Sequence, residues 1–93
     1  MINALIVEEK DNVIVAIEPI AKGSEVNYKL KDGTVKTLTA QQDITIYHKL
    51  AAVDIAKGTP IVKYGEHIGA AAVDIKAGEH VHEHNVESVR EEL

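Results

Sequence analysis

A repeated segment constrains the fold of this chain more than any other feature of its sequence. Two copies, Val53 to Ile61 and Val73 to Val81, share an Asp-Ile pair, a glycine three residues after the isoleucine, and an aliphatic residue three positions further on. A looser third copy runs from Ile17 to Val26. Glycine readily takes the positive φ that tight turns need. The repeat therefore predicts a strand, a glycine turn and a strand three times over, in a small pseudo-symmetric unit rather than a solenoid.

The first 38 residues of the chain also contain segments that are typical of strands. Met1 to Val7 and Val13 to Ile17 are predicted to pair as a hairpin, and Val26 to Leu30 is predicted to pair with Val35 to Leu38 across an Asp32-Gly33 turn. The hydrophobic residues are almost all Ile, Val, Leu and Ala, with three Tyr and no Phe or Trp. A β-branched core of this kind favours strands.

Two short strands, Ile44 to Tyr47 and Leu50 to Val53, are expected next, followed by a tight turn between Gly65 and Gly69. Val86 to Leu93 has apolar residues on one side of two helical turns. The sequence thus predicts a mostly β fold with at most a short C-terminal helix, in one domain spanning 1–93.

Composition excludes several classes of function. The net charge is −5, with 15 acidic and 10 basic residues and 3% aromatic content, which disfavours binding to phosphates and stacking on bases. There is no cysteine, so the chain supplies neither a disulfide nor a thiolate. The N-terminal apolar run is too short for a secretory signal or a membrane span. We therefore expect a cytoplasmic protein with no nucleic-acid or membrane partner.

Three histidines alternate in the segment from Gly78 to Asn85. In an extended backbone, His80, His82 and His84 would point to the same side. Imidazole is a common metal ligand and titrates near neutral pH, so the row predicts a site for a metal or a proton. The alternative interpretation is an edge strand that shows polar residues to water. His80 follows the glycine turn and would point away if the strand bends there.

The other two histidines lie outside this row. His48 falls between two predicted strands, where a loop can aim it at a site or simply expose it to solvent. His67 is expected to be a surface residue.

Nearly the whole chain resembles the SAF domain of the altronate and galactarate dehydratase family, and the resemblance is most specific from Asp43 to Asn85. The resemblance rests on five motifs in order: Ile44 to Ala51, Asp54 to Gly58, Val62 to Gly65, Ile68-Gly69 and Ala77 to Asn85. One departure is Tyr47, where the family usually has a glycine before the histidine.

This resemblance implies a β-clip fold, in which bent hairpins fold over one another. It also implies metal-dependent elimination of water from a sugar acid, with Fe²⁺ as the expected metal. The chain would then be the small subunit or N-terminal domain of a dehydratase, inactive without a larger catalytic subunit. It is also similar in organisation to the small subunit of sulfolactate sulfo-lyase, which eliminates sulfite.

The resemblance and the histidine row together suggest site residues. We expect His48, His82 and His84 to converge as metal ligands or acid–base groups, and Lys49, Lys63 and Asn85 to contact the carboxylate or hydroxyls of the substrate. A non-catalytic module for substrate binding or assembly is the alternative. Exposed strand edges would let the isolated chain self-associate.

Overall fold

Nine short strands form three antiparallel sheets in a computed structural model that describes residues 1–87. The strands are β1 (Ala4–Leu5), β2 (Val13–Ala16), β3 (Glu25–Lys29), β4 (Val35–Thr39), β5 (Lys49–Ala51), β6 (Pro60–Lys63), β7 (Glu66–Ala71), β8 (His80–Val81) and β9 (Val86–Glu87). The central sheet has the order β1-β2-β5-β8, and the others are β3-β4 and β6-β7-β9. The mostly β prediction is confirmed, since residues 1–87 contain no helix.

The repeated segment occurs four times in the structure, once more than the sequence suggested. Each copy contains a four-residue turn closed by a backbone hydrogen bond from its last residue to its first. The third residue of every turn has a positive φ, as a type II turn requires. These residues are Gly23 (87°), Tyr47 (68°), Gly58 (86°) and Gly78 (89°). The fourth copy therefore includes Tyr47, and the absence of a glycine hid it in the sequence.

The four copies associate in two antiparallel pairs. One pair is joined by a bridge between Ile20 and Ile44, and the other by a bridge between Ile55 and Ile75. In every copy the N–H of the positive-φ residue donates, at 2.7 to 2.8 Å, to the carbonyl of the alanine that lies four residues before the isoleucine of the partner copy. The four donor–acceptor pairs are Gly23–Ala40, Tyr47–Ala16, Gly58–Ala71 and Gly78–Ala51. All four alanines are at most 1% exposed, so small side chains occupy the points where two backbones meet.

The aspartate of the Asp-Ile pair has a structural role in the three copies that contain it, at Asp43, Asp54 and Asp74. The carboxylate of Asp54 accepts from the N–H of Ala77, and the carboxylate of Asp74 accepts from the N–H of Lys57. Asp43 likewise accepts from the N–H of Lys22 at 2.8 Å. Each carboxylate therefore ties its own copy to the turn of the partner copy.

The central sheet lies between two hydrophobic clusters. Alternate side chains of its strands point to opposite faces, so that Ile14 and Leu50 join one cluster, while Val13, Ala51 and Val81 join the other. The first cluster also packs against β3, and the second against β6 and β7. The short strand β8 forms one edge of this sheet, and His48 comes directly before β5, the strand next to it.

Both predicted hairpins are present: β1 pairs with β2, and β3 pairs with β4. The predicted strand from Ile44 to Tyr47 is wrong, because Ile44 makes a single bridge and Tyr47 belongs to a turn. The predicted turn between Gly65 and Gly69 is also misplaced. Tyr64-Gly65 forms it, and Gly69 lies within β7.

The predicted C-terminal helix begins at Val86, which with Glu87 forms β9 instead. The rest of that prediction, 88–93, lies outside the described residues. No helix in residues 1–87 is long and apolar enough to cross a membrane.

Candidate functional site

Three histidines converge beside the end of the central sheet. His48 follows the turn that contains Tyr47 and comes directly before β5, and His80 begins β8. The antiparallel register pairs Leu50 with His80 and Lys49 with Val81, which sets His48 across from His82. One nitrogen from each of the three rings lies within 4.8 Å of the others. We call His48, His80 and His82 the histidine cluster.

The rings of the histidine cluster are stacked. The centroids of His48 and His82 are 4.5 Å apart, and those of His48 and His80 are 5.0 Å apart, with interplanar angles of 14° and 20°. The Nδ1 atom of His48 lies 2.8 Å from the Nε2 atom of His80. One of these two nitrogens therefore donates a hydrogen bond to the other. All three residues are partly buried.

His84 lies at the margin of this group. Its ring centroid is 5.3 Å from that of His80, tilted by 37°, and its side chain is exposed. The structure thus joins His48 and His82 as predicted, and it adds His80 in the place where we expected His84. His67 is exposed on β7.

Two amide side chains hold the backbone of His80. The N–H of His80 donates to Oε1 of Gln42 at 2.9 Å, and its C=O accepts from Nδ2 of Asn85 at 2.8 Å. Among residues 1–87, β8 is the edge strand of the central sheet and has β5 as its only neighbour there. Gln42 and Asn85 therefore take the place of a further strand at this position.

Asn85 also fixes the turn that follows β8. Its Oδ1 accepts from the N–H of His82 at 3.0 Å, its own N–H donates to the C=O of His82, and the residue is 7% exposed. Both atoms of the Asn85 amide are engaged with the backbone of His80 and His82. Asn85 therefore orients the histidines, and the substrate contact predicted for it stays a prediction.

The environment of His80 favours its neutral form. Burial lowers the pKa of His80, and the neighbouring His48, His84, His82 and Lys49 lower it further, in that order. A lowered pKa keeps the imidazole neutral, which is the form that binds metals and accepts protons.

The two predicted lysines lie close enough to influence each other. Burial lowers the pKa of Lys49, and the charge of Lys63 adds to the effect. The Lys63 ammonium sits 4.8 Å from the centroid of the Tyr64 ring. Lys49 therefore lies near enough to His80 to act on it, and Lys63 lies near Lys49. Lysine side chains at these positions suit an anionic ligand.

The donor set fits a divalent transition metal. Three imidazole nitrogens within 4.8 Å, supplied by partly buried side chains, match the ligand type and number of a three-histidine catalytic site. His48, His80 and His82 would hold such an ion. The parity of His80 with His82 and His84 made it a candidate without deciding its membership, and nothing in the sequence pattern signalled Gln42.

The paired bent hairpins and the histidine cluster define a small all-strand domain with a polar site at one sheet end. A sequence profile of the altronate/galactarate dehydratase SAF domain matches residues 2–89. The chain therefore belongs to this family.

Curated relatives agree with this assignment. The chain is 48% identical over 75 residues to the altronate dehydratase of Escherichia coli K12 and 36% identical over 83 residues to that of Bacillus subtilis 168. These stretches are 81% and 88% of the chain but only 14% and 16% of the two relatives. It is also 43% identical over 53 residues to the (2R)-sulfolactate sulfo-lyase subunit alpha of Paracoccus pantotrophus, covering 57% of this chain and 79% of the subunit.

Proposed function

We propose that the chain is the small subunit or domain of a metal-dependent sugar-acid dehydratase, in which it contributes histidines to an active site shared with a larger catalytic chain. The convergence of His48, His80 and His82 carries this proposal, because it assembles acid–base and ligand groups in a domain of a dehydratase family. The short coverage of the altronate dehydratases supports a requirement for further protein. We place the assembly in the cytoplasm.

Elimination of water from a hydroxy acid needs three contributions. A base removes the proton next to the carboxylate, an acid protonates the departing hydroxyl, and positive charge stabilises the enediolate between these steps. A bound divalent ion, with Fe²⁺ proposed here, would supply Lewis-acid stabilisation.

The residues of this chain can supply the other two contributions. In the metal-free cluster, the hydrogen-bonded His48–His80 pair can accept a proton on one ring and release one from the other, since one ring donates to its neighbour. When these rings hold the ion instead, the base and the acid would come from the larger chain. Lys49 and Lys63 would attract and orient the substrate carboxylate. Because the cluster opens at the end of a sheet in a chain of 93 residues, the rest of the substrate would be enclosed by the larger chain.

A sulfo-lyase subunit is the second candidate. The match covers 79% of a relative that is itself named as a subunit, so a separately encoded small chain is an attested arrangement in this family. The leaving group would be sulfite instead of water, and the roles of the histidines would be the same.

Affinity purification of the tagged chain from its native cells tests the proposal. We expect a larger protein to copurify in stoichiometric amount, and the mixture to dehydrate a sugar acid or release sulfite from sulfolactate. Alanine at His48 or at His82 should abolish that activity while the complex still forms. Recovery of the abundant chain without a larger partner would instead favour a free-standing binding module.

A further inference from the structure

We infer that His48, His80 and His82 form a metal site that this chain builds by itself, selective for late divalent ions of the first transition row, with Gln42 and Asn85 as its positioning residues. This inference deepens the proposed function, since it concerns the same histidines. It requires neither a partner chain nor an activity, so the two can fail separately.

The donor chemistry sets the class of ion. The cluster brings together imidazoles alone, and imidazole suits Fe²⁺, Ni²⁺, Cu²⁺ and Zn²⁺, whereas carboxylate and carbonyl oxygens suit Mg²⁺, Ca²⁺ and Mn²⁺. For a fixed set of nitrogen ligands, affinity rises from Mn²⁺ through Fe²⁺ and Co²⁺ to Ni²⁺. The isolated chain should therefore bind Ni²⁺ more tightly than Fe²⁺, and Mg²⁺ hardly at all.

The backbone already places the three side chains where an ion needs them. His48 and His82 face each other across β5 and β8, and His80 lies beside them with a nitrogen 2.8 Å from His48. The rings are stacked, so the imidazoles would turn toward an ion by side-chain rotation. The ring that donates between His48 and His80 would bind the ion as its other tautomer, with the hydrogen on the far nitrogen. Three histidines leave at least one coordination position open for a substrate oxygen or a water molecule.

The hydrogen bonds with Gln42 and Asn85 hold the backbone of His80 in a fixed position. A terminal strand normally leaves outward N–H and C=O groups to solvent. Here both groups of His80 are bonded by side chains, one from the turn region before Ile44 and one from the turn after β8. Because these bonds restrain the Cα of His80, they reduce the conformational freedom that metal binding would otherwise remove.

The position of His84 excludes it from the proposed metal site. It is exposed, it neighbours His80 at 5.3 Å between ring centroids, and it does not belong to the group whose nitrogens converge. The ligand set predicted from the resemblance and the histidine row together, His48, His82 and His84, therefore differs from this inference by one residue. That difference makes the inference testable.

The test is a titration of the full 93-residue chain, without partner, with Co²⁺ and Ni²⁺. We expect one equivalent to bind, seen by calorimetry and by the visible absorption bands of bound Co²⁺. His80→Asn should weaken Ni²⁺ binding at least about tenfold, as should His48→Asn and His82→Asn. His84→Asn and His67→Asn should leave it within about threefold of the parent chain.

The positioning role of Gln42 is tested by a matched pair of glutamines. Gln41→Ala removes a side chain whose one hydrogen bond within the described part of the chain is to the Thr39 carbonyl, at 3.3 Å, and it should leave Ni²⁺ binding unchanged. Gln42→Ala should weaken binding about tenfold with little change in thermal stability, because outer residues that orient ligands act on affinity. Gln42→Glu keeps an acceptor for the N–H of His80 and should restore the binding.

Two results would overturn the inference. One is the absence of stoichiometric binding in a chain that circular dichroism shows to be folded. The other is a loss of affinity in His84→Asn that equals or exceeds the loss in His80→Asn. Either result would leave the proposed lyase function to be decided by purification of the complex.

Discussion

The Nδ1 atom of His48 and the Nε2 atom of His80 are 2.8 Å apart, a separation that requires one nitrogen to carry hydrogen and the other to accept it. If both rings were protonated, two donors would face each other and two positive charges would be in contact. The folded state therefore opposes full protonation of this pair.

The first prediction concerns how the free energy of unfolding depends on pH. Burial and the neighbouring positive groups lower the pKa of His80 below its usual 6.5. In the acidic range the unfolded chain then binds more protons than the folded chain, so the free energy of unfolding falls as the pH drops through and below about 6.5. Urea denaturation at pH 8 and at pH 5 should show this loss.

Replacing His80 should flatten the dependence. In His80→Asn the difference in unfolding free energy between pH 8 and pH 5 should shrink, whereas in His67→Asn, which removes an exposed histidine from β7, it should match the parent chain. An equally steep dependence in His80→Asn would assign the acid sensitivity to other groups.

The second prediction concerns Tyr47. Its φ of 68° lies in the left-handed region, which costs a non-glycine residue about 1–2 kcal/mol, and its side chain is 72% exposed. Tyr47→Gly and Tyr47→Ala both remove the ring, but only glycine relieves the backbone. We expect the glycine variant to be more stable than the alanine variant by about 1 kcal/mol, measured by thermal and urea denaturation. Equal stability of the two variants would mean that this turn is unstrained.

The third prediction compares two glycines at equivalent turn positions. Gly58 and Gly78 have φ values of 86° and 89°, but a Cβ at Gly58 would meet open space, whereas at Gly78 it would collide with the carbonyl oxygen of Thr39. Gly58→Ala should therefore show only the backbone penalty, about 1 kcal/mol. Gly78→Ala should be less stable by about a further 1–3 kcal/mol. Similar losses would indicate that the Thr39 segment can move aside.

The sequence was most informative where local chemistry determined the structure. The Asp32-Gly33 turn predicted the β3–β4 hairpin, and the spacing of Gly58 and Gly78 predicted two copies of the repeat. It failed at Tyr47, because the pairing of two copies imposes a left-handed backbone on a residue with no preference for it. Turn signals are local, whereas that pairing is a contact between residues some 30 positions apart in the chain.

In the candidate site, too, local sequence patterns were informative and contacts between distant residues were not predicted. Alternation along the chain placed His82 correctly, but it could not decide between His80 and His84 as the third member. That choice depends on the turn after β8, where Asn85 bonds back to His80 and His82. The contribution of Gln42 depends on a contact 38 positions away in the sequence, which no periodicity encodes.

The last prediction concerns Asp11, a 7% exposed carboxylate that holds the β6–β7 turn beside Lys63. It accepts from the N–H of Gly65 at 2.7 Å, from that of Tyr64 at 3.0 Å and from that of Glu8 at 3.1 Å. Asp11→Ala would leave these three donors without their acceptor, and we expect a loss of about 2–4 kcal/mol in the free energy of unfolding. Asp11→Asn keeps one side-chain acceptor and should lose clearly less. If denaturation showed the two variants to be equally stable, water would be replacing the carboxylate at this turn, and Asp11 would not be what fixes the β6–β7 hairpin against the loop before β2.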